Sequence, residues 1–190
     1  MIQKYNIAYT VSIGGNILNI VPGSVFIQPC DGRRRVAFFK TQAQDYIGMG
    51  VYLPFQPVSI VDKDEALVFT GHVKQILVSK IGFDPTIEGI FTCYDQHYLA
   101  DKHIFEAEYV HTSPEQIVQD IVQALSHSGV TIGEIHDSGV IIPKVRYDMQ
   151  YISMVLDDLV CKVSASGEEY YWGIDLYKKL YFVPCQEPHG

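Results

Sequence analysis

Apolar and polar residues alternate along the first half of the chain. Ile7, Tyr9, Val11 and Ile13 are separated by smaller or polar residues, and Gly14-Gly15-Asn16 ends the run. Alternation of this kind predicts a β-strand that ends in a turn. Further apolar runs lie in residues 25–27, 36–39, 56–61, 67–78 and 86–94, the fourth of them with a predicted bend at Gly71. We therefore predict six or seven strands and no helix before about residue 95, at the roughly 8–12-residue spacing typical of a small barrel or sandwich.

The period of the apolar residues changes in the second half. Ser113 and Gln116 have the spacing of a capping box, and Pro114 suits the first position of a helix. The residues that follow are apolar at the spacing of one helix face: Ile117, Val118, Ile121, Val122 and Leu125. Gly129 then supplies a C-terminal cap. This segment is predicted to be an amphipathic helix.

A second helix is predicted from near Ser153 to a cap at Gly167. Asp157 and Asp158 are expected early in this helix, where the helix dipole favours negative charge. Its apolar face is formed by Leu156, Leu159, Val160 and Val163.

A hairpin is predicted after this helix, with residues 170–174 and 180–183 as its arms and residues 175–179 as its turn. The fold class that follows is α+β, mainly β. It consists of a small antiparallel β-barrel in residues 1–105, followed by a subdomain of two helices and a β-hairpin in residues 106–190.

The 190-residue chain is acidic, with 14 Lys and Arg against 22 Asp and Glu, and a net charge of −8. Residues 1–100 carry 8 basic and 8 acidic side chains, whereas residues 101–190 carry 6 and 14. This balance argues against a sequence-reading nucleic-acid binder, which usually carries a basic stripe. No apolar run approaches the roughly 20 residues of a membrane span, so no stable span is predicted.

Candidate catalytic and metal-binding residues are few. Cys93, Asp95, His97 and His103 fall within eleven residues, but their spacing matches no recurring zinc pattern and favours strand-end packing. None of the four cysteines is marked by its context as the thiol of a cysteine–histidine nucleophile. Asp157-Asp158 and Glu168-Glu169 are interpreted as a solvated acidic face rather than as acid–base pairs. We predict no catalytic residue, metal or cofactor.

Two local clusters suggest contacts with partners. Arg33, Arg34 and Arg35 follow the hairpin dipeptide Asp31-Gly32, so at least one of them should point away from solvent or toward a partner or a second subunit. Residues 170–172, Tyr-Tyr-Trp, have the composition of a sugar-stacking platform, although alternate residues of a hairpin are expected to be buried. They are the basis of the alternative function, a carbohydrate- or peptide-binding module of a tail or cell-surface protein.

A series of short segments follows in a characteristic order. The segments are the Gly-Gly-Asn turn at 14–16, VPGSV at 21–25, a strand near Phe38, PVSIV at 57–61, LVFTGHV at 67–73, FTCYD at 91–95, TSPEQIV at 112–118, the helix near Ser153, and the hairpin from YWGID at 171–175 to KKLYF at 178–182. In this order they resemble the N-terminal half of the baseplate hub, or tail-associated, proteins at the tip of long-tailed bacteriophages. The match covers roughly residues 5–183.

The resemblance implies a virion structural protein without enzymatic activity. Residues 1–105 would form a tube-like domain and residues 106–190 an inserted subdomain. Hub proteins of this kind are trimers, whose ring joins the tail tube or distal tail protein to the tip. The tape-measure protein and DNA pass through the lumen without sequence recognition. The resemblance also implies a location at the tail tip of the virion, after assembly in the host cytoplasm. Hub proteins usually continue into a second barrel, so this chain is expected to be half of a hub.

The charge distribution modifies this expectation. The tube-like domain is neutral, and the excess negative charge lies in the subdomain. We therefore expect the acidic residues to serve solubility and partner matching more than the passage of DNA. Those expected outside the channel are Glu106, Glu108, Glu134, Asp137, Glu168 and Glu169.

Overall fold

The computed structural model describes residues 9–29, 34–43, 52–80 and 86–185. Contacts divide the chain into two compact units, Met1–Asp95 and Gln96–Gly190, which are called the first and second units below. The described residues are mainly β, as predicted, but they contain three α-helices where the sequence predicted two. None of these helices is long and apolar enough to cross a membrane.

The described residues of the first unit form seven strands, all paired antiparallel in one sheet. They are β1 (Thr10–Ile13), β2 (Asn16–Ile17), β3 (Phe26–Pro29), β4 (Arg35–Ala43), β5 (Pro57–Val61), β6 (Leu67–Lys80) and β7 (Ile87–Asp95). Their order is β2-β1-β5-β6-β7-β4-β3, with β2 and β3 at the edges. The strands are thus confirmed, whereas within the described residues the sheet is open, and its closure into a barrel stays a prediction.

The neighbouring strands β4 and β7 show a clear alternation of buried and less buried residues. Every second residue of β7, from Ile87 to Asp95, is buried, because the inward side chains cover the core. Phe39 of β4 lies directly opposite Phe91 of β7, and their fully buried rings stack with centroids 5.0 Å apart. The edge of the Tyr52 ring packs on Phe91 at 5.4 Å.

Gly71 lies where the backbone of β6 closely approaches that of β7. A Cβ at this position would overlap the main-chain carbonyl of Tyr94, so only glycine fits. The register of the β6–β7 pair shifts a little further along, between Val73 and Gln75. The glycine therefore permits the close pairing of the two strands just before this irregularity.

The second unit packs three helices on a two-stranded and a three-stranded sheet around one apolar core. Its elements are α1 (Tyr98–Lys102), β8 (Ile104–Thr112), α2 (Pro114–Leu125), a 3₁₀ turn (Ser126–Ser128), β9 (Thr131–Ile135), β10 (Ile142–Tyr151), α3 (Ile152–Ser164), β11 (Tyr170–Ile174) and β12 (Lys179–Pro184). Strand β8 pairs with β10, and β12 lies between β11 and a parallel β9.

Helix α2 begins as its sequence predicts. Ser113 Oγ accepts a hydrogen bond from the main-chain N–H of Gln116 at 3.3 Å, and Pro114 is the first helical residue. The Gln116 side chain, however, donates to Asp120 and not back to the cap, so half of the capping box forms. The helix ends at Leu125, and Gly129, with φ 81°, caps the 3₁₀ turn that follows.

Helix α3 corrects one expectation. It begins at Ile152, close to the predicted Ser153, but its first turn contains no acidic residue. Asp157 and Asp158 lie in its middle, too far from the N-terminus to interact with the helix dipole. The hairpin that follows is confirmed, and the Asp175 carboxylate accepts from the main-chain N–H groups of Tyr177 and Lys179 in its turn, both at 2.8 Å.

The sequence prediction missed the short helix α1 and the strands β8, β9 and β10. The short segment Ile104–Thr112 pairs with Ile142–Tyr151 across a register shift between Tyr147 and Gln150. Both strands are irregular: Pro143 lies in β10, and His111 and Met149 have φ values of 50° and 51°. Their buried and exposed residues therefore do not alternate regularly. Strand β9 is held by its parallel pairing with β12, which no local pattern encodes.

Candidate interaction site

The arginine cluster stands at the start of β4. Arg34 is half-buried and Arg35 is exposed, whereas Arg33 lies outside the described residues. The main-chain N–H of Arg35 donates to Asp95 Oδ2 at 2.6 Å, and this buried carboxylate fixes the beginning of the strand. Consecutive arginines thus differ in exposure, and their contact with a partner or second subunit stays a prediction.

A second surface is formed by residues Gln75–Lys80, called the β6 extension. On one side these residues pair with β7, from Gln75 opposite Thr92 to Lys80 opposite Ile87. On the other side, the pairing with β5 runs to Pro57 opposite His72. The main chain of Val73 then bonds to that of Phe55 and Gln56, just before β5. Among the described residues, no strand covers that edge beyond Val73.

The β6 extension is also apolar. Leu77 is 54% exposed and Val78 is 44% exposed, although both belong to a regular ladder. An exposed strand edge presents main-chain donors and acceptors for a further strand, and exposed apolar side chains mark contact surfaces. The sequence analysis predicted a strand over residues 67–78, and Leu77 and Val78 are adjacent in it, so they face opposite sides of the sheet.

Carboxylates of the second unit serve as hydrogen-bond acceptors for aromatic side chains. Trp172 Nε1 donates to Asp157 Oδ1 at 2.6 Å, and the Tyr147 hydroxyl donates to Asp158 Oδ2 at 2.8 Å. The Tyr109 hydroxyl donates to Asp120 Oδ2 at 2.9 Å. Asp158 also forms an ion pair with Lys162. Asp157 is exposed and Asp158 is half-buried, which agrees with a solvated acidic face, and both also accept hydrogen bonds from aromatic side chains of the core.

Two of these tyrosines have raised pKa values. Burial, followed by the hydrogen bond to a carboxylate, raises the pKa of both Tyr109 and Tyr147 above the usual range. Both hydroxyls stay protonated and donate at any physiological pH.

The aromatic run at residues 170–172 is not an exposed platform. Tyr170 and Trp172 are buried in the core of the second unit, and Trp172 is only 8% exposed. The half-buried Tyr171 lies between them on the other face of β11. The expected alternation of the hairpin is confirmed, and stacking of a sugar on three adjacent rings is excluded.

The cysteine and histidine candidates occupy separate environments. Cys93 is fully buried in β7, and this burial raises the pKa of its thiol to about 12, which opposes formation of a thiolate nucleophile. In the second unit, His97 Nε2 accepts from the main-chain N–H of Ile174 at 3.3 Å, beside the Trp172 ring. The described residues contain no group of three or more metal-ligating side chains.

An open cleft lies at the start of α2 and is lined by Glu115, Asp137 and Ile141 among others. Glu115 is nearly buried, and its Oε1 accepts from the main-chain N–H of Ser138 at 2.8 Å and from its hydroxyl at 2.6 Å. The carboxylate is therefore engaged in closing the loop before β10.

Solved structures match along nearly the whole chain, whereas no protein-family model and no curated protein matches the sequence. A 43 kDa tail protein of prophage MuSo2 from Shewanella oneidensis superposes with a TM-score of 0.68, at 14% identity over 93% of this chain and 53% of its own. A tail protein of Neisseria meningitidis MC58 gives 0.63, at 10% identity over 94% and 50%. The Escherichia coli c3393 protein, a type VI secretion system component with structural similarity to the T4 tail proteins gp27 and gp5, gives 0.59, at 12% identity over 90% and 48%.

The chain has the fold of phage tail proteins. It spans about half the length of the structures that it matches. The resemblance found in the sequence is thereby confirmed at the level of fold.

The surface of this tail-protein fold is acidic in the second unit. The six carboxylates expected outside a channel are all exposed: Glu106, Glu108, Glu134, Asp137, Glu168 and Glu169. Glu108 forms an ion pair with Lys144 at 2.6 Å across the β8–β10 pair, and this hydrogen bond lowers the pKa of the Glu108 carboxyl.

Proposed function

We propose that the protein is a structural component of a phage tail tip, without enzymatic activity. The observation that carries this proposal is the superposition on a prophage tail protein over 93% of the chain. In the proposed assembly, three copies form a hub ring that joins the tail tube or distal tail protein to the tip. The tape-measure protein and DNA pass through the lumen of that ring.

The two units would have different roles in the ring. We assign the strands of the first unit to a tube-like domain, closed into a small barrel, and the second unit to an inserted subdomain. The predicted boundary at residue 105 lies ten residues after the division between the units at Asp95.

The β6 extension supports assembly of copies. A strand edge that no described strand covers, with Leu77 and Val78 exposed beside it, suits pairing with a strand of a second copy. Arg34 and Arg35 at the start of β4 offer positive charge to an acidic partner or subunit. The exposed carboxylates of the second unit offer the complementary sign, and they repel DNA.

Native mass spectrometry and negative-stain imaging of the purified chain test this proposal. We expect a trimer that images as a ring and that binds the distal tail protein encoded in the same genome. A particle that stays monomeric at every concentration and binds no tail component would contradict it.

A matched pair of variants tests whether the β6 extension lies in the interface between copies. Leu77→Asp places a charge on the β6 extension and is expected to shift the trimer to monomer. Ile141→Asp is the control, since Ile141 is exposed to a similar extent, 57% against 54%, but lies in the second unit before β10. Equal trimer content in both variants would remove the β6 extension from the interface without touching the tail-tip assignment.

A further inference from the structure

Two histidines of the second unit meet at their ring nitrogens. His103 follows α1, and His127 lies in the 3₁₀ turn after α2. The Nε2 atoms of the two rings are 3.2 Å apart, and the Ser128 hydroxyl lies 3.3 Å from His103 Nε2. The ring planes are inclined at 64°, so the contact is made by the nitrogens and is not a stacking of faces.

The tautomer of His103 is fixed by its other nitrogen. His103 Nδ1 lies 2.8 Å from the main-chain carbonyl oxygen of Leu99. A carbonyl oxygen only accepts, so the neutral ring carries its proton on Nδ1 and donates it there. The lone pair of His103 Nε2 then points toward His127 and Ser128. A backbone carbonyl that holds the far nitrogen of a ligating histidine is the usual outer support of such ligands in metal sites.

The spacing of the two nitrogens suits one metal ion. With metal–nitrogen bonds of about 2.0–2.1 Å, two ligands lie roughly 3.3 Å apart at a tetrahedral angle and roughly 2.9 Å apart at a right angle. The observed 3.2 Å falls between these values. Both rings can therefore bind the same ion without a change of their separation, once the His127 ring also presents an unprotonated Nε2.

The backbone on both sides of the pair is anchored. The main-chain N–H of Ile152 donates to the His103 carbonyl at 2.9 Å, and that of Gly129 donates to the Ser126 carbonyl at 2.9 Å. Lys178 Nζ donates to the Ser128 carbonyl at 2.9 Å. The backbone that carries the two rings is thus held in place before any ligand binds, which lowers the entropic cost of binding.

We propose that His103 and His127, with Ser128 beside them, bind a divalent transition-metal ion such as Zn²⁺, Ni²⁺ or Cu²⁺, with water completing its coordination. Two imidazole nitrogens prefer these ions to Mg²⁺ or Ca²⁺, which require oxygen ligands. The ammonium of Lys178 lies close to the Ser128 carbonyl and opposes a dication, so the site binds more weakly than one with three protein ligands. When it is empty, the His127 N–H donates to His103 Nε2.

Isothermal titration calorimetry on the untagged full chain tests the site. The background variant is Cys161→Ser, because the exposed Cys161 thiol also binds these ions. We expect one equivalent of metal, with affinity rising from Co²⁺ through Ni²⁺ to Cu²⁺, and no heat from Mg²⁺. In the Cu²⁺ complex, electron paramagnetic resonance should show coupling to two nitrogens.

The decisive variant is His127→Gln, since His127 is exposed and its loss leaves the core intact. We expect the affinity for Ni²⁺ to fall at least tenfold, and His111→Gln, at another exposed histidine of the second unit, to leave it unchanged. Circular dichroism checks that each variant is folded. Binding that persists in His127→Gln, or the absence of binding in the background protein, would overturn the proposal.

Discussion

The core of the first unit contains the fully buried Phe39, Phe69 and Phe91, whereas the core of the second unit contains Tyr147, Tyr170 and Trp172 in addition to its phenylalanines. A phenyl ring needs no hydrogen-bond partner, but a buried hydroxyl or indole N–H does. The second unit meets this need largely with Asp157 and Asp158. Part of its acidic character is therefore structural, and only the remaining exposed carboxylates are available for partners.

The largest expected effect is in the first unit, at Gly71. In Gly71→Val, the new side chain would overlap main-chain atoms of Tyr94, which cannot rotate away as a side chain would. We expect the free energy of unfolding to fall by about 3 kcal/mol or more. Urea unfolding followed by circular dichroism measures it, while fluorescence of the single tryptophan, Trp172, follows the second unit separately.

Ser79→Val is the matched control for this change. Ser79 is exposed in the same strand, and valine suits a strand, so its effect is expected to stay within about 0.5 kcal/mol. Equal stability of the two variants would mean that β6 and β7 do not approach as closely at Gly71 as the structure has them.

The first unit was also the more predictable from the sequence. Strands β4 and β7 alternate strictly, so their buried positions follow from the period of two. The exposed edge of the β6 extension was not predictable, because it depends on where the β5 segment ends in space. In the second unit the capped start of α2 was predictable, since Ser113 and Gln116 are three residues apart.

The features that could not be predicted from the sequence depend on contacts between residues that are distant along the chain. Trp172 and Asp157 are 15 residues apart in sequence, and His103 and His127 are 24 apart, so no periodic pattern links them. The parallel pairing of β9 with β12 likewise joins segments separated by α3 and two strands. No local pattern marks these contacts, because the fold brings together residues that are distant in sequence.

The second unit should respond to loss of a carboxylate. Asp157→Ala leaves the buried Trp172 N–H without its acceptor, and we expect the free energy of unfolding to fall by about 1–3 kcal/mol. Trp172 fluorescence during urea unfolding measures the change. Glu169→Ala removes an exposed carboxylate elsewhere in the same unit and should cost less than about 0.5 kcal/mol. If both variants lose the same amount, the bond to Trp172 contributes nothing specific.

A smaller effect is expected at the start of α2. Ser113→Ala removes the hydroxyl that accepts from the Gln116 N–H, and loss of such a cap costs about 1 kcal/mol. Ser113→Thr keeps an acceptor and should restore most of the stability. The comparison uses the same unfolding measurement, and a threonine variant as unstable as the alanine variant would argue against the cap.

The last prediction concerns how the stability of each unit changes in alkali. It has no effect on stability at neutral pH, but it separates the two units directly. Burial raises the pKa of the Cys93 thiol from 9.0 to about 12, so the folded first unit keeps a proton that the unfolded chain loses. Its stabilising contribution is complete below pH 9.0 and is lost as the pH rises toward 12, at about 1.4 kcal/mol per pH unit. The buried Tyr109 and Tyr147 act in the same direction, but only above their ordinary pKa of 10.0.

Between pH 9 and 10 we therefore expect Cys93→Ala to flatten the pH dependence of stability measured by circular dichroism, whereas Tyr147→Phe should leave it unchanged. An unaltered slope in Cys93→Ala would mean that the thiol ionises as readily in the folded protein as in the unfolded chain.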